Sequence, residues 1–156
     1  MSEHSRNFLE RARVWSATGM FIAAALLVAG SQLDWVSIAQ LPERIPANQA
    51  HRAPPFNGFD VGDGYTICIA AAVIAGCAML LVLRAKGAFA WIALVASIVA
   101  GGIAISDYRG VDQVFEDLEG IGLGVDPGAG LTLVAVGAFL GLIASVAGIA
   151  ATPRTH

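Results

Sequence analysis

Few residues in this chain could carry chemistry, and their spacing excludes more reactions than it suggests. The three histidines, His4, His51 and His156, lie in the polar N-terminus, in a proline-rich segment and at the C-terminal residue. None falls in an apolar stretch, so no histidine pair can ligate a haem iron inside a membrane, and their scatter lacks the fixed spacing of a zinc site. Cys68 and Cys77 sit nine residues apart in one apolar run. On a helix that puts them about 13.5 Å apart along the axis and on opposite faces, out of disulfide reach. Both read as small buried residues. HExxH, P-loop and Gly-x-Ser-x-Gly patterns do not occur. Two glycine pairs, Gly62-x-Gly64 and Gly128-x-Gly130, have the form of an anion cradle, but Asp60, Asp63 and Asp126 stand beside them. Acids there repel an anion and suit the positive end of a helix dipole, so the pairs read as turns that start helices. The sequence therefore points to a non-catalytic protein, with no catalytic residues, no cofactor, no resident metal and no nucleic-acid partner expected.

Apolar stretches must position what chemistry there is. Of 156 residues, 56% are hydrophobic and only 13% charged, with a mean hydropathy of +0.70. Soluble domains carry about a quarter charged residues. No Asp, Glu, Lys, Arg or His occurs in 14–33, 64–83, 87–106 or 127–153. A run of about 20 such residues crosses the roughly 30 Å hydrocarbon core of a bilayer as a helix. The expected fold is all-α, a single membrane domain over 1–156. Its four transmembrane helices are expected at about 14–33, 64–83, 87–106 and 128–152, joined by outer loops 34–63 and 107–127. Arg11 and Arg13 before the first run resemble the start of a signal peptide, but the run is long for an h-region, so an uncleaved first helix is expected.

The basic residues set the orientation. Arg6, Arg11, Arg13, Arg84, Lys86 and Arg154 fall on one side of the expected spans, and Arg44, Arg52 and Arg109 on the other. This asymmetry predicts that both termini are cytoplasmic. Ten acids then lie outside against two inside, giving an outer net charge of −7 and an inner one of +4. Such a face can steer a basic extracytoplasmic protein towards the membrane. It carries no EF-hand spacing for calcium.

The halves of the chain echo each other. Asp34-Trp35 and Asp107-Tyr108 end the outgoing runs, and Gly62-x-Gly64-Tyr65-Thr66-Ile67 and Gly128-x-Gly130-Leu131-Thr132-Leu133 open the returning ones. Two copies of one helical hairpin, repeated in parallel, account for both correspondences. Small residues recur every four positions: Ala72 and Gly76 in the second span, Ala93, Ser97 and Gly101 in the third, Gly137, Gly141 and Ser145 in the fourth. In lipid, such ridges let helix backbones approach closely, so all are expected in helix packing. The first outer loop carries Pro42, Pro46, Pro54 and Pro55 and then Phe56 and Phe59, which suit an extended segment anchored on a partner by its two rings. In the second outer loop Val111, Val114, Phe115 and Leu118 share one helical face opposite Asp112, Glu116 and Glu119. This predicts a short acidic helix lying flat on the outer leaflet, with Val114, Phe115 and Leu118 turned to lipid or protein.

In order, the Asp-Trp end, GFDVGDGYTI, the Arg-containing turn, the Asp-Tyr end and GVDPGAGLTL resemble small four-helix membrane proteins common in actinobacteria. The resemblance covers most of the chain outside the proline-rich loop, and its motifs mark topology. It implies a bacterial plasma-membrane protein and no catalytic residues. Some proteins of broadly this type are accessory subunits of the cytochrome bc–cytochrome oxidase supercomplex. An accessory subunit that contacts other integral membrane subunits and the lipid bilayer is the leading expectation. A small homo-oligomeric channel or transporter, and a lipid- or envelope-associated protein, are the alternatives.

Overall fold

A computed structural model describes residues 3–40, 56–119 and 124–152. In chain order they form α1 (Glu3–Gln32), β1 (Asp34–Gln40), β2 (Phe56–Asn57), α2 (Gly58–Val61), α3 (Gly64–Arg84), α4 (Gly87–Glu119), β3 (Gly124–Pro127) and α5 (Ala129–Ala150). Four helices are long and apolar enough to cross a membrane, through 7–32 of α1, all of α3, 87–110 of α4 and all of α5. The protein has the make-up of a small four-helix membrane protein.

α1 packs on α3 and α5, and α4 packs on the same two, so the helices form a ring in the order α1–α3–α4–α5. The α1–α5 seam is the most extensive, which closes the ring between the first and last helices. α3 and α4 are joined by Ala85 and Lys86 alone. Ala85 takes the left-handed conformation (φ 51°) and donates its N–H to the Leu81 carbonyl, which ends α3 in one residue. We call this the turn end of the bundle, and the opposite end the sheet end.

At the sheet end β1 lies between β2 and β3, antiparallel to both. Val36 pairs with Phe56 on one side and with Pro127 on the other. This sheet adds three short strands, in segments expected as loops, to a fold that is otherwise all helical as expected. It ties the chain after α1 to both segments that lead into α3 and α5. Backbone groups that leave a helix where water thins out need partners, and pairing with each other supplies them.

The second outer segment also differs from expectation. Residues 111–119 are helical, but they continue α4 without a break and form no separate helix lying flat on the leaflet. Only Gly110 interrupts the helix-forming sequence there, and one glycine costs about 1 kcal/mol, less than a chain reversal would. At 33 residues, α4 is about 50 Å long and outruns the roughly 30 Å hydrocarbon core. The two Asp-aromatic pairs are therefore not equivalent: Asp34-Trp35 follows the end of α1, while Asp107-Tyr108 lies within α4.

The core is built from small side chains with a few large ones between them. Met20, Leu27, Ile67, Ile74, Leu81, Leu131, Val134 and Trp35 are buried, among alanines such as Ala23, Ala78, Ala93 and Ala100. Large apolar residues also cover the outside, from Trp15 and Phe21 on α1 to Phe139 and Ile143 on α5. Hydrocarbon replaces water as the solvent for such a surface.

Candidate functional site

Trp35 closes the sheet end of the bundle. It is 1% exposed, its indole Nε1 donates to the Gly30 carbonyl at 2.8 Å, and its own carbonyl accepts from the Gly128 N–H at 2.7 Å. A Cβ on Gly58 would sit 2.6 Å from the indole ring, and one on Gly130 would sit 2.8 Å from Cδ1. The ring thus occupies a slot that glycines on α2 and α5 leave open. Its neighbour α2 is held by a capping box, in which the Asn57 side chain accepts from Phe59 and Asp60 N–H while Asp60 accepts from Asn57 N–H. In the sequence Trp35 is only the aromatic that follows Asp34 at the end of the first run, and nothing local marks it for burial. Four glycines at 30, 58, 128 and 130 were the available signal, but they are scattered over the chain and converge only in three dimensions.

Two carboxylates lie near this end. Asp63 stands just before α3 and Asp107 in α4. One Asp107 oxygen, Oδ2, is buried with no hydrogen-bond partner among the described residues. Among those residues no three His, Cys, Asp or Glu side chains gather into a metal-binding group. His51 and His156 lie outside the described residues. Cys68 and Cys77 are both free thiols, and the Cys68 Sγ lies 3.3 Å from the Ser31 hydroxyl across the α1–α3 seam.

The small-residue ridges divide into two groups. Ala93, Ser97 and Ser145 are fully buried, and the Ser97 hydroxyl donates back to the Ala93 carbonyl at 2.9 Å. Gly137 and Gly141 are buried on α5; a Cβ on Gly137 would meet the Ala23 carbonyl at 3.1 Å, and one on Gly141 the Ser97 Oγ at 2.5 Å. Gly101 is half-buried, 3.6 Å by the same measure from Ala138. These positions bring α1, α4 and α5 close inside the bundle. Ser16 adds an interhelical bond from α1 to the Ala144 carbonyl of α5 at 2.6 Å. Ala72 and Gly76 do the opposite. Both are exposed on the outside of α3, with open space around Gly76, so they take no part in packing this bundle.

Beside that outward ridge runs an apolar groove of about 380 Å³ between α3 and α4, lined by Val73, Trp91, Ile92, Val95 and Ala96. Of the expected partner anchors, Phe59 already has an intramolecular neighbour, stacked edge-on against Tyr65 with ring centroids 4.9 Å apart. Phe56 is the first residue of β2, and Val114, Phe115 and Leu118 lie in the last turns of α4; the side-chain roles expected of these four fall outside what the structure describes. So does the proline-rich segment 41–55. No family model, curated protein or solved structure matches the chain.

Proposed function

We propose that this chain is a non-catalytic accessory or structural subunit of a larger bacterial plasma-membrane complex, a respiratory-chain supercomplex being the assembly its resemblance implies. The observation that carries this reading is the outward ridge of Ala72 and Gly76 beside the α3–α4 groove. Small residues on a lipid-facing surface leave the backbone open to another helix, and between helices in lipid it is close packing that drives association. The other ridges are used up inside the bundle, whereas this one is left for a neighbour. In this reading both termini are cytoplasmic, the acidic sheet end is extracytoplasmic and open to a basic protein, and the two hairpins are copies of one unit.

Mild solubilisation, capture on a terminal tag and mass spectrometry of the retained proteins test it. Other integral membrane subunits should be recovered with the wild type. The double variant Ala72→Leu/Gly76→Leu should stay inserted and folded but lose most of them. Unchanged recovery would remove this face from the interface. Recovery of the chain alone, as an oligomer, would favour the channel alternative, which ion or solute flux in proteoliposomes then decides.

A further inference from the structure

Arg13 stands where the core of the bundle would otherwise continue. Ala17, Met20, Ala24, Leu27 and Ser31 are buried at alternating spacings of four and three along α1, and Arg13 is the next position of that row towards the turn end. Its side chain is half-buried, and its Nε is buried with no hydrogen-bond partner among the described residues. Arg84, the last residue of α3, is exposed. We infer that the turn end of the α1–α3 seam, between Arg13 and Arg84, binds the headgroup of an anionic glycerophospholipid.

Contacts around Gly148 put the two arginines at one level. A Cβ on Gly148 would meet Ser16 Oγ on α1 at 2.6 Å, Leu81 Cδ2 on α3 at 3.1 Å and Ala90 Cβ on α4 at 3.2 Å. Three residues on towards the turn end, about 4.5 Å along each axis, come Arg13 and Arg84 on adjoining helices. α3 runs 21 residues from Gly64 to Arg84, about 30 Å, so this level is a headgroup boundary of the hydrocarbon core. Just inside it, Val14 and Trp15 follow Arg13, and Leu83 precedes Arg84; all three are exposed. The surface is therefore cationic at phosphate depth and apolar immediately below, which suits a lipid better than a free phosphate. A buried guanidinium nitrogen is costly to leave without an acceptor, and a phosphodiester offers oxygens that match the planar fork.

Charge selects the headgroup. Among the described residues within about one turn of this level, Arg11, Arg13, Arg84 and Lys86 are cationic and Glu10 alone is anionic. A headgroup with an ammonium beside its phosphate brings a second cation into this excess and is disfavoured. One that joins its phosphate to a neutral polyol keeps its net negative charge and is attracted. The ligand class is therefore a phosphatidylglycerol-type lipid. The inference requires insertion in a bilayer but not the subunit role proposed above.

The test uses the purified full-length chain, delipidated and offered phosphatidylglycerol, phosphatidylethanolamine, diacylglycerol or inorganic phosphate, with native mass spectrometry reading the bound fraction. Phosphatidylglycerol should be retained in preference to the other three. Arg84→Gln should weaken its retention about tenfold, the lower range for a hydrogen bond to a charged group, and Arg13→Gln at least as much. Arg84 is exposed, so its variant should keep the wild-type thermal midpoint while losing the lipid. Arg109→Gln removes the same charge from an exposed position towards the sheet end and should leave retention unchanged. Retention of phosphatidylethanolamine or diacylglycerol equal to that of phosphatidylglycerol would overturn the assignment. So would inorganic phosphate displacing the lipid, Arg84→Gln binding as the wild type does, or Arg109→Gln weakening retention as much as Arg84→Gln.

Discussion

Replacing Gly130 by Ala tests whether the sheet end is held by backbone contact. A Cβ at this position would lie 2.6 Å from both the Gly30 and Leu33 carbonyl oxygens and 2.8 Å from the Trp35 ring. Ordinary contact is about 3.5 Å, so α1 and α5 would have to separate by roughly 0.7–0.9 Å or the indole would have to leave its slot. Two of the three obstructing atoms are backbone and cannot rotate away. Overpacking of this kind costs about 1–3 kcal/mol. Gly76→Ala provides the control, because nothing lies within 4 Å of its added methyl. There the helix-propensity gain of up to about 1 kcal/mol stands alone. For a chain of this size 1 kcal/mol moves the midpoint about 2–4 °C. Thermal unfolding in mild detergent, followed by circular dichroism, should therefore place Gly130→Ala between about 2 and 12 °C below Gly76→Ala. Equal midpoints for the two variants would refute the claimed approach of α1 to α5 through Gly130.

Three further outcomes follow from local geometry. Trp35→Phe keeps most of the plug but leaves the buried Gly30 carbonyl without its indole donor, so unfolding should be easier by about 1–3 kcal/mol. A variant as stable as the wild type in denaturant titration would mean that bond contributes nothing. Ala85→Gly relieves a left-handed alanine at φ 51° and should raise stability by about 1 kcal/mol in the same assay, since glycine adopts that conformation at no steric cost. A Cys placed at Lys86 should resist membrane-impermeant maleimide applied to intact cells and react only after permeabilisation; labelling of intact cells would reverse the expected orientation.

The four spans were legible from the sequence because they depend on a local quantity, the absence of charge over some twenty residues. The tight link Arg84-Ala85-Lys86-Gly87 was equally plain, since two charged residues so close to two apolar runs leave room only for a turn. A helix over 111–119 was visible in its periodicity, but its continuity with α4 was not: Gly110 can end a helix or be carried through one. The function classes disfavoured by the lack of motifs were likewise readable residue by residue.

Tertiary structure decided the rest. Ala72 and Gly76 have the same spacing as Gly137 and Gly141, yet the first pair faces out and the second faces in. The rotation of a helix about its axis is set by what its neighbours offer, and spacing along the chain carries no record of that. Short strands 34–40, 56–57 and 124–127 likewise gain their pairing only from partners up to 91 positions away. Trp35 shows the same limit: a tryptophan at the end of a span suits the headgroup belt by composition alone. It became the plug of this bundle because Gly30, Gly58 and Gly130, which no local pattern links, converge around it and leave a space that only a ring fills.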